Sequence, residues 1–230
     1  MPIFNTIRKI SSSLRVLARL LEYPDAALRA NLPALRDALH GEQALPPQRL
    51  SEIDALLTAL GDAEPLEAEA DYVQLFDRGR AASLYLFEHV HGDSRERGPA
   101  MIDLAQTYEK AGLFLALGQM PDYLPVVLEF TSTQPPREAR AFLGEMGHIL
   151  NAVFAALQAR HSGYASVLGA LLELAGETAQ PVAPQAEQPI DEAWEEPAAF
   201  DGCSSKGQAG PDQPQPIRIV RKDAHPGVIS

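Results

Sequence analysis

Apolar residues recur every three or four positions along most of residues 1–176, and this spacing limits the possible folds more than any other feature. The first such stripe consists of Ile7, Ile10, Leu14, Leu17 and Leu21, on a helix predicted over residues 3–22. Alternation of apolar and polar residues, which is typical of strands, is confined to residues 217–220. We therefore expect an all-α fold.

Start and stop signals divide the rest of this region into further helices. The predicted helices cover residues 26–39, 47–60, 65–76, 84–87, 99–115, 123–130, 136–161 and 164–174. Asp25 and Asp122 are the predicted N-caps of the first and the sixth of these, and Pro33 is expected to break or restart the first. Short linkers between amphipathic helices favour an antiparallel helical bundle.

The composition changes after Gly176. Residues 177–230 are rich in proline, glutamine and acidic residues and poor in aliphatic ones, so they are predicted to form a disordered tail beside a helical domain of residues 1–176. Two apolar islands interrupt the tail, at 190–197 around Trp194 and at 216–220. Each island is either the anchor of a binding motif or incidental.

Charge and cysteine content exclude several classes of protein. The net charge of −12 disfavours nucleic-acid partners and stable association with anionic membranes. The single cysteine, Cys203, excludes cysteine-rich zinc and iron–sulfur sites. Arg8 and Arg15 interrupt the N-terminal apolar positions, unlike a secretory signal, and the sequence has no run of ~20 apolar residues. We expect a cytoplasmic protein.

One short segment has residue types that could support catalysis. Glu88, His89 and His91 could ligate a metal ion. On a helix, however, two residues two positions apart point about 200° away from each other, and a third ligand would have to come from elsewhere. A structural polar cluster or a binding surface is the alternative interpretation. The common phosphate-binding, dinucleotide-binding and serine-hydrolase motifs do not occur in the sequence.

Two longer segments resemble a known family. Residues 72–80 (YVQLFDRGR) and 83–98 (SLYLFEHVHGDSRERG) closely resemble the signature of the NarJ proteins, the molybdenum-cofactor assembly chaperones of respiratory nitrate reductase. Residues 121–130 (PDYLPVVLEF) resemble the second signature of that family, and the tail segments 191–197 and 215–217 are also similar to it. NarJ proteins are relatives of the TorD-type redox-enzyme chaperones.

The resemblance implies a TorD-like helical fold without catalytic activity and without a cofactor or metal of its own. It also implies a client, the apo form of the catalytic (alpha) subunit of nitrate reductase, whose N-terminal segment binds in a groove between helices. Membrane anchoring of the client then waits until the molybdenum cofactor and an iron–sulfur cluster are inserted. The chaperone is not a subunit of the finished enzyme.

The two signature segments also supply the predicted client-binding residues. These are Phe76, Asp77, Arg78, Glu88, His89, Tyr123, Leu124, Pro125 and Glu129. An acidic groove rim would favour a client segment that carries lysine or arginine. Two other functions remain open: a metal-dependent enzyme that uses Glu88, His89 and His91, and a generic helical scaffold with an unrelated partner.

Overall fold

The computed structural model of the chain describes residues 9–92 and 94–180, which form ten α-helices and one 3₁₀ helix. The helices are α1 (Ser11–Leu20), α2 (Ala26–Glu42), α3 (Pro47–Asp62), α4 (Pro65–Phe76), α5 (Leu86–Val90), α6 (Arg97–Lys110), α7 (Leu124–Thr133), α8 (Pro136–Glu145), α9 (Gly147–Ala159), α10 (Ala165–Ala175) and the 3₁₀ helix Arg80–Ala82. Within these residues β structure is limited to one isolated bridge, between Tyr85 and Tyr123. The all-α fold is confirmed.

Helix α1 lies at the centre of the bundle and packs against α2, α7 and α10. Leu14 and Leu17 of this helix, and Leu21 directly after it, have no exposed surface. Complete burial of such a side chain contributes roughly 1.5–3 kcal/mol. Helices α8 and α9 also pack on α10, which thus contacts both of them and α1.

Several predicted helix ends are confirmed. The Asp25 carboxylate accepts the N–H of Leu28 at 2.7 Å and caps α2. Helices α3, α4, α7 and α8 each have proline in the first turn, where its missing N–H leaves no hydrogen bond unmade.

Helix α6 ends at Lys110 because Gly112 adopts a positive φ of 78° and Leu113 N–H bonds back to the carbonyl of Tyr108.

This last end corrects the sequence analysis, which extended the helix to Leu115. Two further predictions on helix continuity are also wrong. Pro33 neither breaks nor restarts α2, which continues through it over 17 residues. The helix predicted over residues 136–161 is divided into α8 and α9 at Met146, where φ is −92° and ψ is 0°. Gly144 and Gly147 flank this break, and glycine lowers helix stability by about 1 kcal/mol relative to alanine.

The first helix starts later than predicted. The carboxylate of Glu42 accepts the N–H groups of Ser12 and Ser13 at 3.0 and 2.7 Å, and this interaction fixes the start of α1 at Ser11. Residues 3–8 of the predicted helix lie outside the described residues.

The predicted cap of α7 is wrong as well. The N-cap of α7 is Tyr123, and the carboxylate of Asp122 instead accepts the N–H of Phe87 at 3.1 Å, in the first turn of α5. Asp122 therefore fixes the start of α5 and not that of α7. Its partner Phe87 lies 35 residues before it in the sequence.

The last helix ends at Ala175, one residue after its predicted end. Gly176 takes a positive φ of 87°, and Glu177 N–H bonds to the carbonyl of Leu172 at 2.8 Å. Residues 177–180 then run beside α9, where the Gln180 N–H donates to Asn151 Oδ1 at 2.8 Å. The predicted tail beyond residue 180, with Trp194 and both islands, lies outside the described residues.

Candidate functional site

The two signature segments are joined by backbone hydrogen bonds. Leu86 N–H donates to the carbonyl of Asp122 at 3.0 Å, and Leu124 N–H donates to the carbonyl of Leu84 at 2.8 Å. Because these bonds alternate across the Tyr85–Tyr123 bridge, the start of α7 is held in register with the start of α5. Residues that are far apart in the sequence thus form one structural unit.

A cluster of aromatic rings anchors this unit to the core. Tyr72 donates its hydroxyl hydrogen to the carbonyl of Leu21 at 2.7 Å, and its oxygen lies 3.2 Å from the hydroxyl oxygen of Tyr123. The rings of Phe76 and Tyr164 lie 4.8 and 6.1 Å from that of Tyr72. Burial raises the pKa of the Tyr72 hydroxyl far above its usual value, so it remains a neutral donor.

Glu88 and His89 belong to a polar cluster around Ser83. The Ser83 hydroxyl donates to Glu88 Oε2 at 2.6 Å, and His89 Nε2 lies 2.9 Å from the Ser83 carbonyl oxygen. Arg97 lies 3.7 Å from the other oxygen of Glu88. His91 packs edge-on against Phe87. Across residues 9–92 and 94–180, no group of three His, Cys, Asp or Glu side chains is arranged to hold a metal ion.

Asp122 is the one fully buried carboxylate of this unit. Its Oδ2 accepts the Phe87 N–H and lies 3.9 Å from Arg97, whereas its Oδ1 has no hydrogen-bond partner in the described part of the chain. Burial raises the pKa of the Asp122 carboxyl, while the Phe87 N–H and the Arg97 guanidinium lower it in part. These contacts indicate a structural role for Asp122.

The predicted client-binding residues occupy three kinds of environment. Phe76, Leu124 and Pro125 are buried, and Phe76 and Leu124 belong to the main core. Tyr123, Glu88 and His89 are half-buried and hydrogen-bonded within the unit. Asp77, Arg78 and Glu129 are exposed. A partner could therefore contact the third group directly, and the first group only after the bundle opened.

Glu129 alone of these nine residues lines an open groove beside α7. The groove has a volume of about 300 Å³ and lies between α1, the end of α6, the loop 111–120 and α7. We call it the α7 groove. Its lining residues are Arg15, Tyr108, Leu113, Phe114, Leu115, Gln119, Val126, Glu129, Phe130, Ser132 and Thr133.

The floor of the α7 groove is a small hydrophobic cluster separate from the main core. Tyr108, Val126 and Phe130 are its buried members, and the rings of Tyr108 and Phe130 lie 4.8 Å apart. Tyr108 donates its hydroxyl hydrogen to the Pro121 carbonyl at 2.8 Å, which satisfies its polar end. The floor is therefore apolar, and its three side chains are closely packed and almost fully buried.

Charged side chains lie on the rim of the α7 groove. Arg15 Nε donates to Ser132 Oγ at 3.2 Å and so links α1 to α7. Partial burial and the nearby Glu22 carboxylate raise the pKa of Glu129, and Arg15 acts in the opposite direction. A carboxylate held in this environment would gain from a cationic partner.

Most of this groove is not among the residues predicted from the sequence. The helix predicted over residues 99–115 includes Leu113, Phe114 and Leu115, whereas the structure places them in the loop after α6. One sequence feature does indicate the loop: five consecutive apolar residues lie between Gly112 and Gly118. A run of this kind does not follow helical spacing, and in the structure it leaves Phe114 exposed.

A second hollow lies at the start of α1. It is larger, about 600 Å³, and is lined by Lys9, Ser12, Ala38, Gly41, Glu42 and Gln43. This lining is mostly polar, and the carboxylate of Glu42 already caps α1. We therefore regard the α7 groove as the better site for an apolar segment.

Comparison with known proteins supports the resemblance of the signature segments. The family model described as "Nitrate reductase delta subunit" matches residues 21–168. The chain is 42% identical over 233 residues to the nitrate reductase molybdenum cofactor assembly chaperone NarJ of Escherichia coli (strain K12), covering 92% of this chain and 99% of that protein. The relatives named in this way are chaperones, so the chain is not an enzyme.

Two further similarities concern part of the chain and its fold. Over 124 residues, 54% of this chain and 18% of the relative, it is 36% identical to the nitrate reductase-like protein NarX of Mycobacterium tuberculosis (strain ATCC 25618 / H37Rv). A crystal structure of an Archaeoglobus fulgidus protein assigned to redox enzyme maturation has the same fold, with a TM-score of 0.51 and 18% identity over 73% of this chain and 94% of that chain.

Among the helices of residues 9–180, apart from the undescribed position 93, none is both long and apolar enough to cross a bilayer. The chain therefore belongs to the nitrate reductase delta subunit family, together with the NarJ assembly chaperones that its signature segments resemble.

Proposed function

We propose that this chain is a cytoplasmic, system-specific chaperone that binds the apo catalytic (alpha) subunit of respiratory nitrate reductase, mainly through the N-terminal segment of that subunit. It holds the client while the molybdenum cofactor and an iron–sulfur cluster are inserted, and it separates before the enzyme is anchored in the membrane. The relatives' description as molybdenum cofactor assembly chaperones supports this proposal over the subunit role that the family description suggests.

The α7 groove is the observation that carries the proposal. It combines an apolar floor, formed by Tyr108, Val126 and Phe130, with the exposed carboxylate of Glu129. An amphipathic helix in an apolar groove is a common mode of peptide recognition. The Glu129 carboxylate gives this groove a preference for a segment with a lysine or arginine beside its apolar face.

The two alternatives have less support. A metal-dependent enzyme would require the Glu88 and His89 side chains, and both are hydrogen-bonded to Ser83. Metal analysis of the purified protein distinguishes this alternative, since it would require stoichiometric metal. A generic scaffold would bind an unrelated partner, and a pull-down from cells that make nitrate reductase distinguishes it.

Replacement of Glu129 tests the proposed function. We expect Glu129→Lys to weaken calorimetric binding of a peptide from the N-terminus of the catalytic subunit by roughly fivefold to thirtyfold, equivalent to about 1–2 kcal/mol, because attraction to a client cation becomes repulsion. Glu129 is exposed, so the thermal melt should hardly change.

Glu145→Lys is the matched control, because Glu145 is also exposed but lies on α8 outside the groove lining. It should bind the peptide within twofold of the unmodified protein. A peptide in which glutamine replaces lysine and arginine should bind the Glu129→Lys variant and the unmodified protein equally. Equal weakening by both substitutions would show that only net charge matters and would contradict the assignment of the groove.

A further inference from the structure

The loop that borders the α7 groove has unusual backbone at both ends. Gly112 and Gly118 adopt positive φ values of 78° and 85°. Side chains other than glycine rarely adopt this region, so the two residues are turning points of the backbone. The loop residues between them, 113–117, are all apolar.

These residues differ in exposure. Leu113 and Leu115 are half-buried and pack against the floor cluster. Phe114, at the edge of the groove, and Leu117 have 79% and 107% of their surface exposed. Two large apolar side chains exposed so close together are typical of a surface that contacts a partner.

The ends of the loop are fixed by the protein, whereas its crown is held locally. Leu113 N–H bonds to the Tyr108 carbonyl at 2.9 Å, at the end of α6. The crown is closed by Gln119, whose side-chain oxygen accepts the N–H of Ala116 at 2.9 Å and whose own N–H donates to the Ala116 carbonyl at 3.1 Å. These bonds span Gly112 and Gly118, so the loop keeps a defined shape with Phe114 and Leu117 exposed on it.

We propose that residues 112–118 form an apolar flap, the second wall of the client site, and that Phe114 and Leu117 contact a client segment lying on the groove floor. This inference rests on the proposed function and adds to it the shape of the client. A helix held between floor and flap needs apolar residues on two flanks, and Glu129 on the rim requires a lysine or arginine between them. An ordinary amphipathic helix, apolar on one flank alone, would fit the floor and leave the flap uncovered.

The double substitution Phe114→Ala/Leu117→Ala tests the flap, because both side chains are exposed and folding does not depend on them. We expect calorimetry with the client N-terminal peptide to show at least tenfold weaker binding than for the unmodified protein. The control variant, Leu66→Ala/Ile102→Ala, removes two exposed apolar side chains on α4 and α6 and should bind within twofold of the unmodified protein.

The possible outcomes separate this inference from the proposed function. If the unmodified protein binds the peptide and the flap variant binds equally well, the flap is overturned and the chaperone function stands. If the unmodified protein does not bind the peptide, the proposed function fails and the flap fails with it. Equal losses in the flap and control variants also overturn the flap, because they would indicate unspecific apolar adhesion.

Hydrogen exchange supplies an independent readout. Saturating peptide should slow amide exchange at residues 113–117 at least tenfold, because the bound segment covers the flap and excludes water from its backbone. The exposed turn at residues 161–163, between α9 and α10, should exchange at an unchanged rate. Unchanged exchange at 113–117 in the presence of tightly bound peptide would overturn the flap.

Discussion

Asp122 shows at the residue scale how one buried carboxylate holds the two signature segments together. Its carboxylate and its carbonyl receive the N–H groups of Phe87 and Leu86. These bonds fix the first turn of α5 against the residue that precedes the N-cap of α7. The sequence analysis identified Asp122 as a helix cap but assigned it to the wrong helix, because capping preferences favour the adjacent helix and the correct partner lies 35 residues away.

Substitution of Asp122 should separate its hydrogen bond from its charge. Asp122→Ala leaves the N–H of Phe87 without its acceptor and should lower the free energy of unfolding by about 1–3 kcal/mol in urea titrations at pH 7. Asp122→Asn retains an acceptor oxygen and should lower it by less. The exposed Asp103→Ala is the control and should change it by less than about 0.5 kcal/mol.

The pH dependence of stability follows from the same contacts. Burial raises the pKa of the Asp122 carboxyl above its usual value, so the folded state retains this proton to a higher pH than the unfolded state. This stabilising contribution is complete below the unfolded pKa and is lost as the pH rises through the folded pKa. Asparagine does not titrate, so the free energy of unfolding of Asp122→Asn should fall less than that of the unmodified protein as the pH rises above about 4. An equal fall in the variant and the unmodified protein would contradict a raised pKa at Asp122.

At the element scale, the apolar periodicity predicts the helices well and their ends less well. Helix α4 occupies the predicted residues 65–76, because proline starts it and its apolar stripe ends at Phe76. Helix α2 continues through Pro33, since packing of Leu28, Leu32 and Leu39 against the core outweighs the missing hydrogen bond. Such continuation depends on tertiary contacts, which local sequence does not contain.

Arg29 offers a test of a helix end. Its guanidinium donates to the carbonyls of Leu60, Gly61 and Ala63 at 2.6, 3.3 and 2.5 Å, and so satisfies the C-terminal end of α3 from α2. Arg29→Ala should lower the free energy of unfolding by about 1–2 kcal/mol. Arg29→Lys should recover part of this, since one ammonium cannot reach all three carbonyls.

Chemical denaturation of Arg29→Ala and Arg29→Lys measures these changes in the free energy of unfolding. Arg137→Ala, at an exposed position on α8, is the control. A full recovery by lysine would mean that the positive charge near the helix end matters and the geometry of the hydrogen bonds does not.

At the scale of the whole molecule, the α7 groove combines parts that the sequence keeps apart. Arg15 comes from α1, Tyr108 from the end of α6, Phe114 from the loop and Glu129 from α7. Periodicity predicts that these segments exist, and the family resemblance predicts that a groove exists. Neither predicts that α7 packs against α1 to form it, because that depends on how whole helix faces fit together. For this reason the predicted site included the core residues Phe76 and Leu124.

Site-specific photo-crosslinking to the apo catalytic subunit is the most direct test of the central claim. A photoreactive amino acid is placed at Thr133, which is exposed and lines the α7 groove, or at His148, which is exposed on α9. We expect position 133 to cross-link to the N-terminal segment of the apo subunit and position 148 not to do so. A stable complex that cross-links from position 148 and not from position 133 would contradict it.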